Sequence, residues 1–167
     1  MAEKGIFIAE NMASTTVGSL LRSAVDATSG TLLARENGSI VKLDGLVDGE
    51  NNLYKAISVS AAADVIYFVD GVVLDPDEHV TKGLDDYEVP AGKEFRVRKP
   101  MVGDIFSISE KHIAGLTKND VVEMTDSGLA KKTTGTANTS FTAKVIDKWV
   151  FGARAISMIR LEVLTVA

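Results

Sequence analysis

The chain has 167 residues, 46% apolar and 25% charged, with a formal net charge of −5 and no cysteine. That balance belongs to an ordered globular protein, and at this length folding into one domain buries roughly 70% of the unfolded surface. The missing cysteines remove thiol catalysis and thiolate metal sites, and a pI near 5.0 runs against non-specific nucleic-acid binding, which needs clustered cations.

The first apolar stretch is Gly5 to Ala9, set off by Glu10-Asn11-Met12. Its run from Ile6 to Ala9 is too short for a signal-peptide core, and no run approaches the ~20 apolar residues that span a bilayer. The expectation is a protein made and kept in a cytoplasm, with no membrane partner. A strand this short without a hairpin partner pairs with something distant. The simpler reading is an edge strand of its own sheet. The functional reading is an arm that adds a strand to another chain, with Ile6 and Ile8 filling pockets and Phe7 facing the opposite way.

Behind Ser14-Thr15-Thr16, which are good helix caps, Val17, Leu20, Leu21, Ala24 and Val25 fall at helical spacing. Gly18 costs such a helix about 1 kcal/mol relative to alanine, so a short helix is expected. Residues 1–29 therefore read as an N-terminal arm plus a short helix. Glu110 to Leu116 offers one further helical turn.

The remainder alternates with period two between turn signals. Asn37-Gly38 lies between Thr31–Arg35 and Ser39–Leu43, and Asp70-Gly71 between Val65–Val69 and Val72–Leu74. Both dipeptides suit two-residue hairpin turns. Pro90-Ala91-Gly92 separates Tyr87–Val89 from Glu94–Arg98, and Asp126-Ser127-Gly128 separates Val121–Thr125 from Leu129–Lys132. In the last third, Phe141, Ala143, Val145, Asp147, Trp149 and Phe151 share one face of a strand, with Thr142, Lys144, Ile146 and Lys148 on the other. Gly152 to Ala155 turns the chain into a closing strand of Ile159, Leu161 and Val163. Trp149 is the largest anchor, for a core or a subunit contact. The pattern predicts a single mainly β domain over 1–167, an antiparallel β-barrel or sandwich with one or two short helices.

Chemical motifs are few. His79 and His112 lie in different segments without metal-ligand spacing. Asp75-Pro76-Asp77-Glu78-His79 lacks the calcium-loop pattern, and this run and Asp85-Asp86-Tyr87-Glu88 read as hydrated turns. Neither a phosphate-binding glycine loop nor a hydrolase elbow occurs, and Thr133 to Ser140 reads as a polar loop. Lys93, Arg96, Arg98 and Lys99 alternate with Phe95 and Val97, as on the solvent face of a strand; docking of this basic face onto an acidic protein surface is the alternative. The expectation is a protein that is not an enzyme and carries no cofactor, no metal and no nucleic acid.

Three segments carry a resemblance: Val102-Gly103-Asp104-Ile105-Phe106-Ser107-Ile108, then Lys118-Asn119-Asp120-Val121-Val122-Glu123, then Phe141 to Trp149 after the threonine-rich loop. With the size, acidity, lack of cysteine and high Thr, Ala, Val and Gly content, residues 65 to 167 resemble the decoration (cement) proteins of tailed-phage capsids. The resemblance implies a structural protein on the virion's capsid surface, bound to the major capsid protein and stabilising the head, and a homo-oligomer, a trimer by analogy. It carries over no catalytic or ligand residue. Candidate capsid or subunit contacts are Ile6, Phe7, Ile8 and Trp149. Two other classes stay open: a tail or baseplate β-module of a phage, and a ligand- or carbohydrate-binding β-domain.

Overall fold

Strand accounts for 48% of the molecule and helical turns for 4%, so it is mainly β, with antiparallel sheets in a sandwich-like fold. The computed structural model describes residues 3–28, 31–73, 83–133 and 138–167. Chain order is β1 (Phe7–Asn11), 3₁₀ turns at Ala13–Thr15 and Gly18–Leu20, β2 (Leu21–Asp26), β3 (Arg35–Glu36), β4 (Ile40–Leu46), β5 (Leu53–Ile57) and β6 (Tyr67–Asp70). There follow β7 (Glu88–Val89), β8 (Glu94–Arg98), β9 (Ile105–Ser109), β10 (Val121–Thr125), β11 (Gly128–Lys131), β12 (Phe141–Phe151) and β13 (Ile156–Val166).

These strands build a six-stranded sheet of order β1-β9-β13-β12-β10-β11, a closed barrel β2-β5-β4-β6-β8, and a small β3-β7 pair. One pair in the barrel, β2 with β5, is parallel.

The two larger units are joined through β6, whose two faces enter separate cores. Successive side chains on a strand point to opposite faces. Tyr67 and Val69 therefore enter the barrel core with Val41, Ala56, Phe95 and Val97. Phe68 points the other way, into the core of the six-stranded sheet. There its ring lies 4.7 Å from Phe106, 5.7 Å from Phe7 and 5.8 Å from Phe141, centroid to centroid. Such ring pairs contribute about 0.5–1.5 kcal/mol each beyond the area they bury.

The helix expected from Val17 to Val25 does not form. Gly18–Leu20 makes a single 3₁₀ turn and Leu21–Asp26 is a strand, because β2 is held on both sides by β5 and β8 and closes the barrel. Those ladder bonds outweigh a weak local helix preference. Nor does Ser14 cap a helix; its buried hydroxyl accepts a hydrogen bond from Arg98 Nη1 at 3.2 Å. Glu110 to Leu116 holds a hydrogen-bonded turn, His112 N–H to Ser109 O, and no helix.

Asn37-Gly38 and Pro90-Ala91-Gly92 are real turns that do not make hairpins, and Asp70-Gly71 ends β6 without a turn. Gly38 takes the positive φ of 84° that its turn requires, yet β3 on one side pairs with β7, and β4 on the other pairs with β5 and β6. Asn37 is buried and its side chain binds the backbone of Gly71, accepting from the N–H at 2.6 Å and donating to the carbonyl at 3.3 Å. A Cβ on Gly71 would lie 2.5 Å from Val89, so this junction needs glycine there. The Asn37-Gly38 and Asp70-Gly71 signals thus bind each other. Val72 is exposed, and Leu74 lies outside the described residues. Likewise Lys93 N–H closes the Pro90 turn, but β8 pairs with β2 and β6 while β7 pairs with β3. The other two turns do close hairpins, β10–β11 at Asp126-Ser127 and β12–β13 at Gly152–Ala155.

Candidate contact face

The longest hairpin positions the site. Along β12, Phe141, Ala143 and Val145 enter the main core. Val145 faces Leu161 and Asp147 faces Arg160, so Ile146 has no partner on β13 and forms a bulge. One extra residue shifts the alternation by one. From that point Asp147, Trp149 and Phe151 lie on the opposite face from Phe141 to Val145. The single face expected from Phe141 to Phe151 is therefore split in two.

Beyond the bulge, Trp149 faces Met158 across the hairpin. Ile6, Ile156 and Met158 form a third, small buried cluster, covered by the partly buried Ile8, Trp149 and Phe151. The rings of Trp149 and Phe151 meet edge to face at 6.0 Å. Of the four candidate contact residues, Ile8 and Trp149 are partly exposed here, while Ile6 is fully buried beneath them and offers no surface to a partner. Phe7 alternates into the main core, where it is 4% exposed. β1 itself is the edge strand of this chain's own sheet, paired antiparallel with β9.

Trp149 is half-buried rather than enclosed. Its indole N–H reaches past β13 and donates to Ser107 Oγ on β9 at 3.1 Å. Ser107 in turn donates to the Glu10 carboxylate, whose other oxygen sits 2.6 Å from Arg160 Nε. Arg160 Nη1 lies 3.8 Å from Asp147. Glu10, Ser107, Arg160 and Asp147 thus border the aromatic patch as one polar chain. Its ion pairs are partly exposed, so each adds at most about 1 kcal/mol; their effect is to fix geometry. Sequence reasoning missed these four residues, since nothing local links Glu10 on β1 with Arg160 on β13. The bulge carries no distinctive residue signal either.

The other candidates are scattered. His112 is mostly buried, with Nε2 donating to the Asn37 carbonyl at 2.7 Å and the ring packed against Gly5 and Gly38. Burial pushes its pKa below the ordinary 6.5, against the upward pull of the Asn37 carbonyl and Glu36. Glu36 is itself pushed up by burial, but Lys111 and the Gly5 N–H outweigh this and hold it below the usual range. Asp85 and Asp86 pair with Arg154, and Glu88 with Lys4. The run Asp75 to His79 lies outside the described residues. Among the described residues, no three His, Asp or Glu side chains converge to hold a metal, and no helix is long and apolar enough to cross a membrane.

Two of the four cations in the basic cluster share one carboxylate. Arg96 and Arg98 both bind Asp70, and Arg98 is buried instead of facing solvent. No family model, curated protein or solved structure matches the chain.

Proposed function

We propose that this chain is a structural, non-enzymatic protein that binds the outer surface of a tailed-phage capsid and stabilises it, with the Trp149 face as the contact. The observation that carries the reading is the half-buried Trp149, fixed in orientation by Ser107 and flanked by Phe151 and Ile8 within a border of ion pairs. Protein contacts draw their affinity from a few such rigid aromatic anchors surrounded by polar groups. Tryptophan is well suited because it offers a large contact area with few rotamers to freeze. The partner class, the major capsid protein, and an oligomeric arrangement on the head come from the resemblance of residues 65 to 167.

The test mixes purified protein with heads that lack their decoration and sediments the particles. The expected result is saturable co-sedimentation that raises the temperature at which the heads break. Trp149→Ala should weaken binding by two orders of magnitude or thereabouts, as hot-spot truncations at about 2–4 kcal/mol do. Saturable binding unaffected by Trp149→Ala would remove this face from the proposal. Failure to bind heads, with recovery on tails instead, would overturn the capsid reading.

A further inference from the structure

We infer that the groove beside Arg22, at one mouth of the five-stranded barrel, is a binding site for a small carboxylate ligand. This stands apart from the Trp149 face and does not rest on the capsid reading.

Of the six arginines in the chain, Arg35 pairs with Asp26, Arg96 and Arg98 with Asp70, Arg154 with Asp85 and Asp86, and Arg160 with Glu10. Arg22 alone has no carboxylate partner among the described residues. Among the described residues it is thus a cation without a carboxylate, in a chain with a net charge of −5. It is also held in place. The guanidinium carbon sits 4.7 Å from the centroid of the Tyr54 ring and 6.0 Å from that of Tyr67. Contact with the tyrosines orients the guanidinium plane, while its edge N–H donors stay available for a coplanar acceptor.

The space in front of Arg22 is a groove of about 380 Å³, lined by Gly18, Ser19, Leu21, Ser23, Asn52 and Tyr54. Small-molecule sites begin at roughly 300 Å³. The hydroxyls of Ser19 and Ser23 and the Asn52 amide provide neutral hydrogen-bonding groups around the single charge. The nearby cation on β5, Lys55, pairs with Asp48. One available guanidinium matches one negative charge, and its planar fork matches a carboxylate in bidentate geometry. A phosphate dianion would need a second cation.

The carboxylate has two chemical sources, a sugar acid or an acidic amino-acid side chain, and the probes separate them. Galacturonate, glutamate blocked at both its amino and α-carboxyl groups, and inorganic phosphate are titrated separately into the full chain. The Arg22 Nε–H resonance and the Ser19, Ser23 and Asn52 amides are followed by NMR. The expected result is a saturable shift with one or both carboxylates, the tighter one assigning the source. Arg22→Gln should weaken it by about tenfold or more, through loss of a charge-assisted pair. Exposed Ser23→Ala, which leaves the barrel interior untouched, should weaken it severalfold and keeps the test valid if Arg22→Gln fails to fold. The inference is overturned if neither carboxylate saturates, if binding survives in the folded variants unchanged, or if phosphate binds as tightly as the better carboxylate.

Discussion

The barrel and the six-stranded sheet meet at β6 but are stabilised differently. The sheet's main cluster is built on Phe7, Phe68, Phe106 and Phe141 with aliphatic neighbours, and Glu123 on β10 is buried beside it in the same sheet. The barrel's core is smaller, and the inward face of β2 ends in charge: Arg22 lies over the tyrosines at one end, and Asp26 is buried at the other. Asp26 binds Arg35 through two nitrogens at 2.9 and 3.0 Å and accepts the Thr28 N–H at 2.9 Å. A closed barrel of five short strands has little interior volume to fill with side chains, so polar groups complete its ends, the Asp26–Arg35 pair at one and Arg22 over the tyrosines at the other. The sheet's main core therefore depends on packing, and the barrel additionally on the buried Asp26–Arg35 pair.

The largest effect is expected at the shared residue. Phe68 is fully buried and touches three other rings, so Phe68→Ala should cost about 3–5 kcal/mol in urea denaturation. Because Phe68 belongs to a barrel strand and to the sheet core, barrel and sheet probes should lose structure in a single transition. Separate transitions in the parent protein would break the view that β6 couples the two units.

Next comes the charged end of the barrel. Asp26→Ala strands a guanidinium whose side chain is only 11% exposed, and leaving one partner of a buried pair uncompensated costs about 3–5 kcal/mol. The loss should persist in high salt, because buried pairs are poorly screened. A loss below about 1 kcal/mol, erased by salt, would place this pair with the surface ion pairs.

The smallest effect is on pH dependence at the junction. Burial lowers the folded pKa of His112 below 6.5, so the unfolded chain binds the proton first as pH falls. The contribution of His112 is complete above about 6.5 and is lost as pH drops through the folded value. Glu36 and Asp64 are also lowered in the folded state, but from 4.5 and 3.8, so their contributions are lost only in stronger acid. His112→Gln keeps a donor for the Asn37 carbonyl and should flatten the stability profile in the region just below pH 6.5. An unchanged slope in that window would show that His112 does not set it.

What was legible in the sequence follows the same division. In the sheet, Asp126-Ser127 and Gly152 to Ala155 close hairpins between neighbours in the chain, so alternation and turn chemistry sufficed. In the barrel, β2 pairs with β5 and β8, and β6 with β4 and β8. A turn dipeptide fixes a local reversal, but distant burial decides which strands then pair. Asn37-Gly38 makes a turn and no hairpin, because Asn37 is committed to the Gly71 backbone. The proposed contact face is only partly named by the sequence. Trp149, Ile6 and Ile8 were singled out as anchors, while the bulge at Ile146 moved Trp149 to the outer face, and the Glu10–Ser107–Arg160 chain depends on three strands meeting.

That face is the central claim, and the chain's single tryptophan reports on it directly. Trp149 fluorescence should be open to acrylamide quenching in the free protein, since the ring is half-buried. Saturating undecorated heads should shift its emission to the blue and remove most of the quenching. Protein that sediments with heads while Trp149 keeps its free spectrum and full quenching would contradict the account.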